Sequence, residues 1–229
     1  MFKQAHVIQS RLADDVYEQI LSAIVNGNIA PGERLIQEKI ASQINISRTP
    51  VREALLRLEQ EGILEISGRK GFSIRKISEE EVRQLYVVRE AIEGYAARLV
   101  AEHKAPEQLA AIKRAVDVEL EQDTTDVEID FRVNRAIHRT IVEQAGNPML
   151  LDMFDRVWGR GISVWLFAAT RGDQEPVEHQ TLFEVVSTAE PDAAQQAMID
   201  HIRDGLDRQL KGIKPPSPDA RMVSRKIEK

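Results

Sequence analysis

Two groups of residues in this chain have the types and spacing to do chemistry. The first is Ser47, Arg48, Thr49 and Arg52, gathered around Pro50 in ISRTPVREALLRLEQEGIL, residues 46–64. An arginine fork can bond guanine O6 and N7 together, worth about 1–3 kcal/mol of base discrimination. Ser and Thr hydroxyls at a helix start can bond phosphate oxygens, helped by the positive end of the helix dipole. The second group is His138, His179 and His201, with Asn134 four residues before His138. Residues four apart lie on one helical face. Three imidazoles and one oxygen ligand could close on a divalent metal between helices. Each group also has a plainer reading. The arginines suit a solvated helix end with surface ion pairs. The histidines suit one hydrogen-bonded core residue and two surface ones.

The elements around the arginines favour the chemical reading. Residues 10–26 place Leu12, Val16, Ile20 and Ile24 on one helical face, with Ser10 as N-cap. Gly27, Pro31 and Gly32 break that helix. A short helix over about 37–44 and a tight turn at Asn45 follow. Thr49 is placed to cap a third helix with Pro50 at its first position, where the missing N–H costs nothing. Its buried stripe is Val51, Ala54, Leu55 and Leu58, and Gly62 ends it. ILEI and FSIRKI flank SGRKG as a hairpin with a glycine-bearing turn. Three helices and a two-stranded wing make a winged helix-turn-helix, whose third helix lies in the DNA major groove. Arg48, Thr49 and Arg52 occupy the turns that reach base edges.

The rest of the chain reads as an all-α antiparallel helical bundle. Ser78 and Glu81 form a capping-box start. A long helix follows to about residue 103, with Val82, Leu85, Val88, Ile92, Ala96 and Leu99 at helical spacing. Further helices are expected over about 106–122, 126–144, 149–170, 176–188 and 191–211, with Trp158 and Trp165 in the 149–170 helix. His103 falls at a helix end, as a cap or surface residue, and His6 precedes the first helix. The expected division is a DNA-binding domain over 1–77, a helical domain over 78–212 and a mobile tail over 213–229, rich in proline and charge.

Composition agrees. The 229 residues are 42% hydrophobic and 30% charged, enough for a real core. There is no cysteine, which excludes disulfides and thiolate metal sites and suits a reducing cytoplasm. No apolar run approaches the ~20 residues that span a membrane, and MFKQAHVIQS lacks a signal-peptide core. The net charge of −6 is unevenly spread. Residues 1–77 carry 11 Lys and Arg against 9 Asp and Glu, and the remainder 20 against 28. SGRKGFSIRK holds four basic residues and no acidic one. A weakly basic front half and an acidic back half point to two tasks in one chain.

APGERLIQEKIASQINISRTPVREALLRLEQEGILEISGRKGFSIRKI resembles the winged-helix domain of the GntR family of bacterial transcription factors. YVVREAIEGYAARL, NRAIHRTIVEQAGNPML, EHQTLFEVV and PDAAQQAMIDHI are similar, in order, to signatures of the helical effector domain (FCD) of its FadR subfamily, in the shorter VanR-like branch. The resemblance spans roughly residues 10–210. It implies a divalent metal of Zn, Ni or Mn type on Asn134, His138, His179 and His201. Asn134 stands where an aspartate is commoner, so the site lacks a charge and should bind metal more weakly. The resemblance also implies a small carboxylic acid effector, with Arg89 helping to hold it. Arg89 otherwise suits an ion pair with Glu93, four residues on. For DNA it adds Lys39 and the wing tip Arg69, Lys70 and Gly71.

Together these readings predict a cytoplasmic homodimeric transcription factor, more often a repressor in this family. It would bind double-stranded operator DNA as an inverted repeat and respond to its effector. The rival is a metal-dependent hydrolase or lyase on a helical bundle, since an open three-histidine site can activate water. No His-Glu-x-x-His spacing supplies its base, and it leaves residues 46–76 without a purpose. A third reading has the bundle serve only for dimerisation.

Overall fold

The computed structural model describes residues 7–29, 33–68, 71–75, 77–123, 126–159 and 178–212. Its first half holds α1 (Val7–Val25), β1 (Arg34–Ile36), α2 (Gln37–Gln43), α3 (Arg48–Gln60), β2 (Leu64–Ser67) and β3 (Gly71–Ile74). The periodic apolar positions of the sequence become its core. Val16, Ile20 and Ile24 of α1 meet Val51, Ala54, Leu55 and Leu58 of α3, closed by Leu64, Phe72 and Ile74 of the hairpin. Asn45 takes a left-handed φ of 54°, which turns the chain sharply between α2 and α3. Gly62, at φ 76°, ends α3 in a conformation that costs glycine little. There the Gly62 amide donates to Glu59 O at 2.9 Å and the Ile63 amide to Leu58 O at 2.9 Å, a Schellman closure.

Three details differ from the sequence expectation. Helix α1 is already formed at Val7, so Ser10 lies inside it and is not its cap. Helix α3 starts at Arg48, with Ser47 as the extended N-cap residue and no side-chain cap bond. Pro50 is then the third helical residue, still within the first four whose N–H groups have no helical partner. The wing gains a strand: β1 joins the sheet in the order β1-β3-β2, all antiparallel, with Leu35 opposite Phe72 and Ile66 opposite Phe72 on the other side. Three residues with one buried side chain give too short an alternation to read from sequence.

The second half is helical: α4 (Glu79–His103), α5 (Pro106–Glu121), α6 (Val127–Gln144), α7 (Pro148–Gly159), α8 (Gln180–Thr188) and α9 (Pro191–Gly212). Ser78 and Glu81 form the expected capping box: Ser78 Oγ accepts from the Glu81 amide, and the Glu81 carboxylate accepts from the Ser78 amide. Helix α4 runs along α9, and both line a core of Val82, Ala97, Val100, Ile137, Met198 and Ile202. Val82, Leu85, Ile92 and Ala96 are buried as expected, but the stripe is wider than the apolar pattern. Val88 is 42% exposed, while Tyr86, Arg89 and Glu93 are buried. The stripe therefore admits a charged pair that an apolar pattern passes over. Helix α8 begins at Gln180, so His179 precedes it rather than lying inside a helix from 176. Trp165, the wing-tip Arg69 and Lys70, His6 and the tail from 213 lie outside the described residues. No helix among the described residues is long and apolar enough to cross a membrane.

Candidate DNA-reading face and metal centre

The sequence needs one solvent-facing helix start for the arginines, and the structure supplies it. Lys39 on α2 and Ser47, Arg48, Thr49 and Arg52 at the head of α3 are all exposed. The apolar stripe of α3 faces inward, so the opposite side presents these groups together. Arg48 Nη1 donates to Glu38 Oε1 at 3.1 Å, with both side chains more than half exposed. A pair of this kind is worth about 0–1 kcal/mol, so Arg48 can exchange it for a base or phosphate. Gly71 is buried in the ladder, and a Cβ there would come within 2.6 Å of Arg34 Nε. Arg34 is exposed, and its guanidinium lies along the wing glycines Gly68 and Gly71, a placement that sequence reasoning does not give.

The four proposed ligands are brought together from three elements of the bundle. Asn134 and His138 project from one face of α6, His179 stands just before α8, and His201 comes from α9. His138 Nε2 lies 3.3 Å from His179 Nε2 and 3.3 Å from His201 Nε2. One ligand atom from each of the three histidines fits within a 4.8 Å span. Two nitrogens at zinc-bonding distance in a tetrahedron are also about 3.3 Å apart. Asn134 Nδ2 is 3.4 Å from His179 Nε2, and a half-turn of the amide brings its oxygen to the same place. Asp130, one turn before the cluster on α6 at Asn134, is buried away from this donor set and is not among the grouped ligand atoms.

Two of the rings, those of His138 and His201, are held neutral by burial. Burial, the largest influence, holds His138 down to about 4 in spite of the adjacent Glu93 carboxylate. Burial and then the neighbouring rings of His138 and His179 hold His201 down to about 2. Burial would raise the Glu93 carboxyl, but Arg89 and His138 outweigh it and bring it to about 2. An ionised Glu93 can only accept, so His138 carries its proton on Nδ1 and donates to Glu93 Oε2 at 2.5 Å. That leaves Nε2 with a lone pair facing the cluster. His179 is fixed twice, its amide reaching Glu119 Oε2 at 3.0 Å and its Nδ1 reaching Glu119 Oε1 at 2.7 Å. Carboxylates behind ligand imidazoles are the usual way to set tautomer and ring angle. Neutral, converging nitrogens are what coordination requires, so the donor set fits a divalent metal.

Arg89 is buried and donates from Nε to Glu93 Oε1 at 2.8 Å, its guanidinium 4.8 Å from the Tyr86 ring centroid and 4.4 Å from that of Trp158. The ion pair with Glu93 is therefore real, but buried rather than superficial. His103 Nδ1 lies 2.8 Å from Leu99 O at the end of α4, as a helix-end residue should. Sequence reasoning missed Glu119 and the second contact of Glu93. A signal existed for both: each falls on the period of an apolar stripe, Ile112–Val116–Glu119 on α5 and Tyr86–Arg89–Glu93–Ala97 on α4.

The pattern described as "Bacterial regulatory proteins, gntR family" matches residues 12–74, and that of the FCD domain matches residues 84–204. The chain belongs to the GntR family. It is a transcriptional regulator of the GntR/FCD type and not an enzyme, with a winged helix-turn-helix followed by an all-helical domain. Among relatives of this GntR regulator is the uncharacterized HTH-type transcriptional regulator YdhC of Bacillus subtilis, 30% identical over 81% of this chain and 85% of YdhC. A probable D-xylose utilization operon transcriptional repressor of Paenarthrobacter nicotinovorans is 28% identical over 85% of this chain and 87% of its own. The fold is similar to that of Escherichia coli McbR/YncC, with a TM-score of 0.70 and 22% identity, covering 87% of this chain and 97% of that one. A putative GntR regulator from Rhodococcus sp. RHA1 gives a TM-score of 0.68 at 20% identity, covering 88% and 99%.

Proposed function

We propose that this GntR regulator is a cytoplasmic homodimeric repressor whose helical domain senses a small carboxylic acid through a bound divalent metal. The two working units are a DNA-reading head over 1–77 and an effector domain over 78–212. The observation that carries the reading is the convergence of the Nε2 atoms of His138, His179 and His201 within 3.3 Å contacts, backed by Glu93 and Glu119. With Asn134 as a neutral oxygen ligand, the donor set favours Zn or Ni over harder ions such as Mn. A metal bound there would supply a positive centre with open positions for a carboxylate. Arg89, already held by Glu93 beside the cluster, would add positive charge to the same region. In the head, Arg48 and Arg52 would read base edges, while Lys39, Ser47, Thr49, Arg69 and Lys70 would hold phosphates, with Gly71 giving the wing its close packing. Arg34 joins the phosphate set. Two heads on an inverted repeat roughly add their binding energies, which one small head alone would not match.

The experiment is native mass spectrometry of the purified protein, followed by footprinting on DNA upstream of its own gene with and without whatever small molecule is retained. The reading expects a mass of two chains, about one divalent metal per chain, and two symmetric protected half-sites whose protection changes with the small molecule. A monomer that protects one asymmetric site and takes up no metal contradicts it.

A further inference from the structure

Glu93 stands outside the donor set, yet three buried donors converge on it. His138 Nδ1 uses Oε2 at 2.5 Å, while Arg89 Nε and Trp158 Nε1 use Oε1 at 2.8 and 3.2 Å. Glu93 is 1% exposed and Trp158 2% exposed, so water cannot replace any of these partners. Trp158 is the one of the three that belongs to the buried aromatic cluster. Its ring lies 5.5 Å from Phe154 and 6.2 Å from Phe131, within a buried cluster that also contains Val25 from α1 of the head. Leu21 of α1 packs against the same cluster. Beside it opens a cleft of about 690 Å³ between head and bundle, lined by Leu21, Val25 and Arg57 on one side and Phe131, Arg135 and Trp158 on the other. The seat of α1 on the bundle is therefore narrow, apolar and bordered by open space, and Trp158 is part of its floor.

We infer that Glu93 is a positioning residue that couples the histidine cluster to the DNA-reading head, through Trp158 and the seat of α1. This rests on the metal reading of the cluster. With a metal held on Nε2, the His138 ring would be fixed in angle and poorer in electron density, and its Nδ1–H bond to Glu93 would be stronger. The carboxylate has only its two oxygens to share among His138, Arg89 and Trp158. A shift toward His138 is consequently felt at the Trp158 N–H. Close-packed aromatic neighbours pass such a shift on rather than absorb it. The link requires no contact between effector and head, and it gives the metal site a preferred placement of α1.

The test uses zinc alone as the probe and hydrogen–deuterium exchange as the readout, on the full chain. Zinc affinity is measured on the same wild-type, Glu93→Gln and Trp158→Phe proteins by titration calorimetry. In the wild type, zinc should slow exchange of the amides of residues 16–25 several-fold. Trp158→Phe keeps an aromatic ring but loses the N–H; it should bind zinc with wild-type affinity and no longer slow α1. Glu93→Gln keeps the volume and should bind zinc about 10–100-fold more weakly. It too should give no α1 protection, even at saturation. Zinc binding to the wild type without any effect on α1 overturns the link, as does full α1 protection in either variant. Failure of the wild type to bind zinc overturns the metal reading and the link with it.

Discussion

The start of α3 and the centre of the helical bundle hold their charged groups in opposite ways. At α3, Arg48 and Glu38 are 70% and 55% exposed and joined by a single contact of 3.1 Å. In the bundle, Arg89, Glu93 and His138 are 7%, 1% and 1% exposed, and Glu93 alone serves three donors. Exposed charges lose little by changing partners, which suits a surface that must exchange solvent and counterions for DNA. Buried charges are costly to misplace, which suits a site that must hold ligand nitrogens at fixed angles. One region trades stability for availability; the other trades availability for geometry.

Removing one partner in each region should expose that difference. Glu93→Ala leaves Arg89 buried without its carboxylate and should cost about 3–5 kcal/mol of stability, read as a shift of the urea midpoint. A cost below that of an ordinary surface change would mean the bundle relaxes around Arg89 and the contrast is false. Acid acts on the same buried groups. His138 at about 4 and His201 at about 2 both lie below the 6.5 of an unfolded histidine. Between these values the unfolded chain binds more protons than the folded one, so stability falls as pH drops from about 6.5 toward 4. Each full unit of depression corresponds to about 1.4 kcal/mol at most. Glu93, held at about 2, adds a further loss below the ordinary carboxylate range. His138→Gln should flatten the upper part of this profile in urea titrations at several pH values. An unchanged slope would place the proton uptake elsewhere. Glu38→Ala should do least, changing stability by no more than about 1 kcal/mol. Its expected mark is slightly tighter DNA binding at low salt, because a competing carboxylate beside Arg48 is gone; a loss of DNA binding would mean Glu38 positions Arg48.

The comparison also explains what could be read from sequence. The head was legible because its parts are local. Helical periods at Val51, Leu55 and Leu58, a stop at Gly62 and a turn at Asn45 each act within a few residues. The caps of α1 and α3 shift by a few residues, and β1 is not legible at all, since its strand identity comes from pairing with β3 across a long sequence gap. Family likeness and the Asn134–His138 spacing single out four candidate ligands, and their side chains lie within 3.4 Å contacts of one another in a chain. Glu93 and Glu119 were not named as partners of the histidines, because hydrogen bonds between residues 45 and 60 apart leave no mark in spacing. Their trace is weaker: a charged residue sitting where a buried stripe expects an apolar one.

Metal binding and base reading rest on different residues, and crossed single substitutions test that directly. Metal content per chain and affinity for the operator are measured for His201→Ala and Arg52→Ala beside the wild type. His201→Ala should lose the metal and keep its preference for operator over random DNA. Arg52→Ala should keep the metal and lose about 1–3 kcal/mol on the operator, with a much smaller loss on random DNA. Full metal occupancy in His201→Ala, or equal losses on operator and random DNA for Arg52→Ala, would contradict the account.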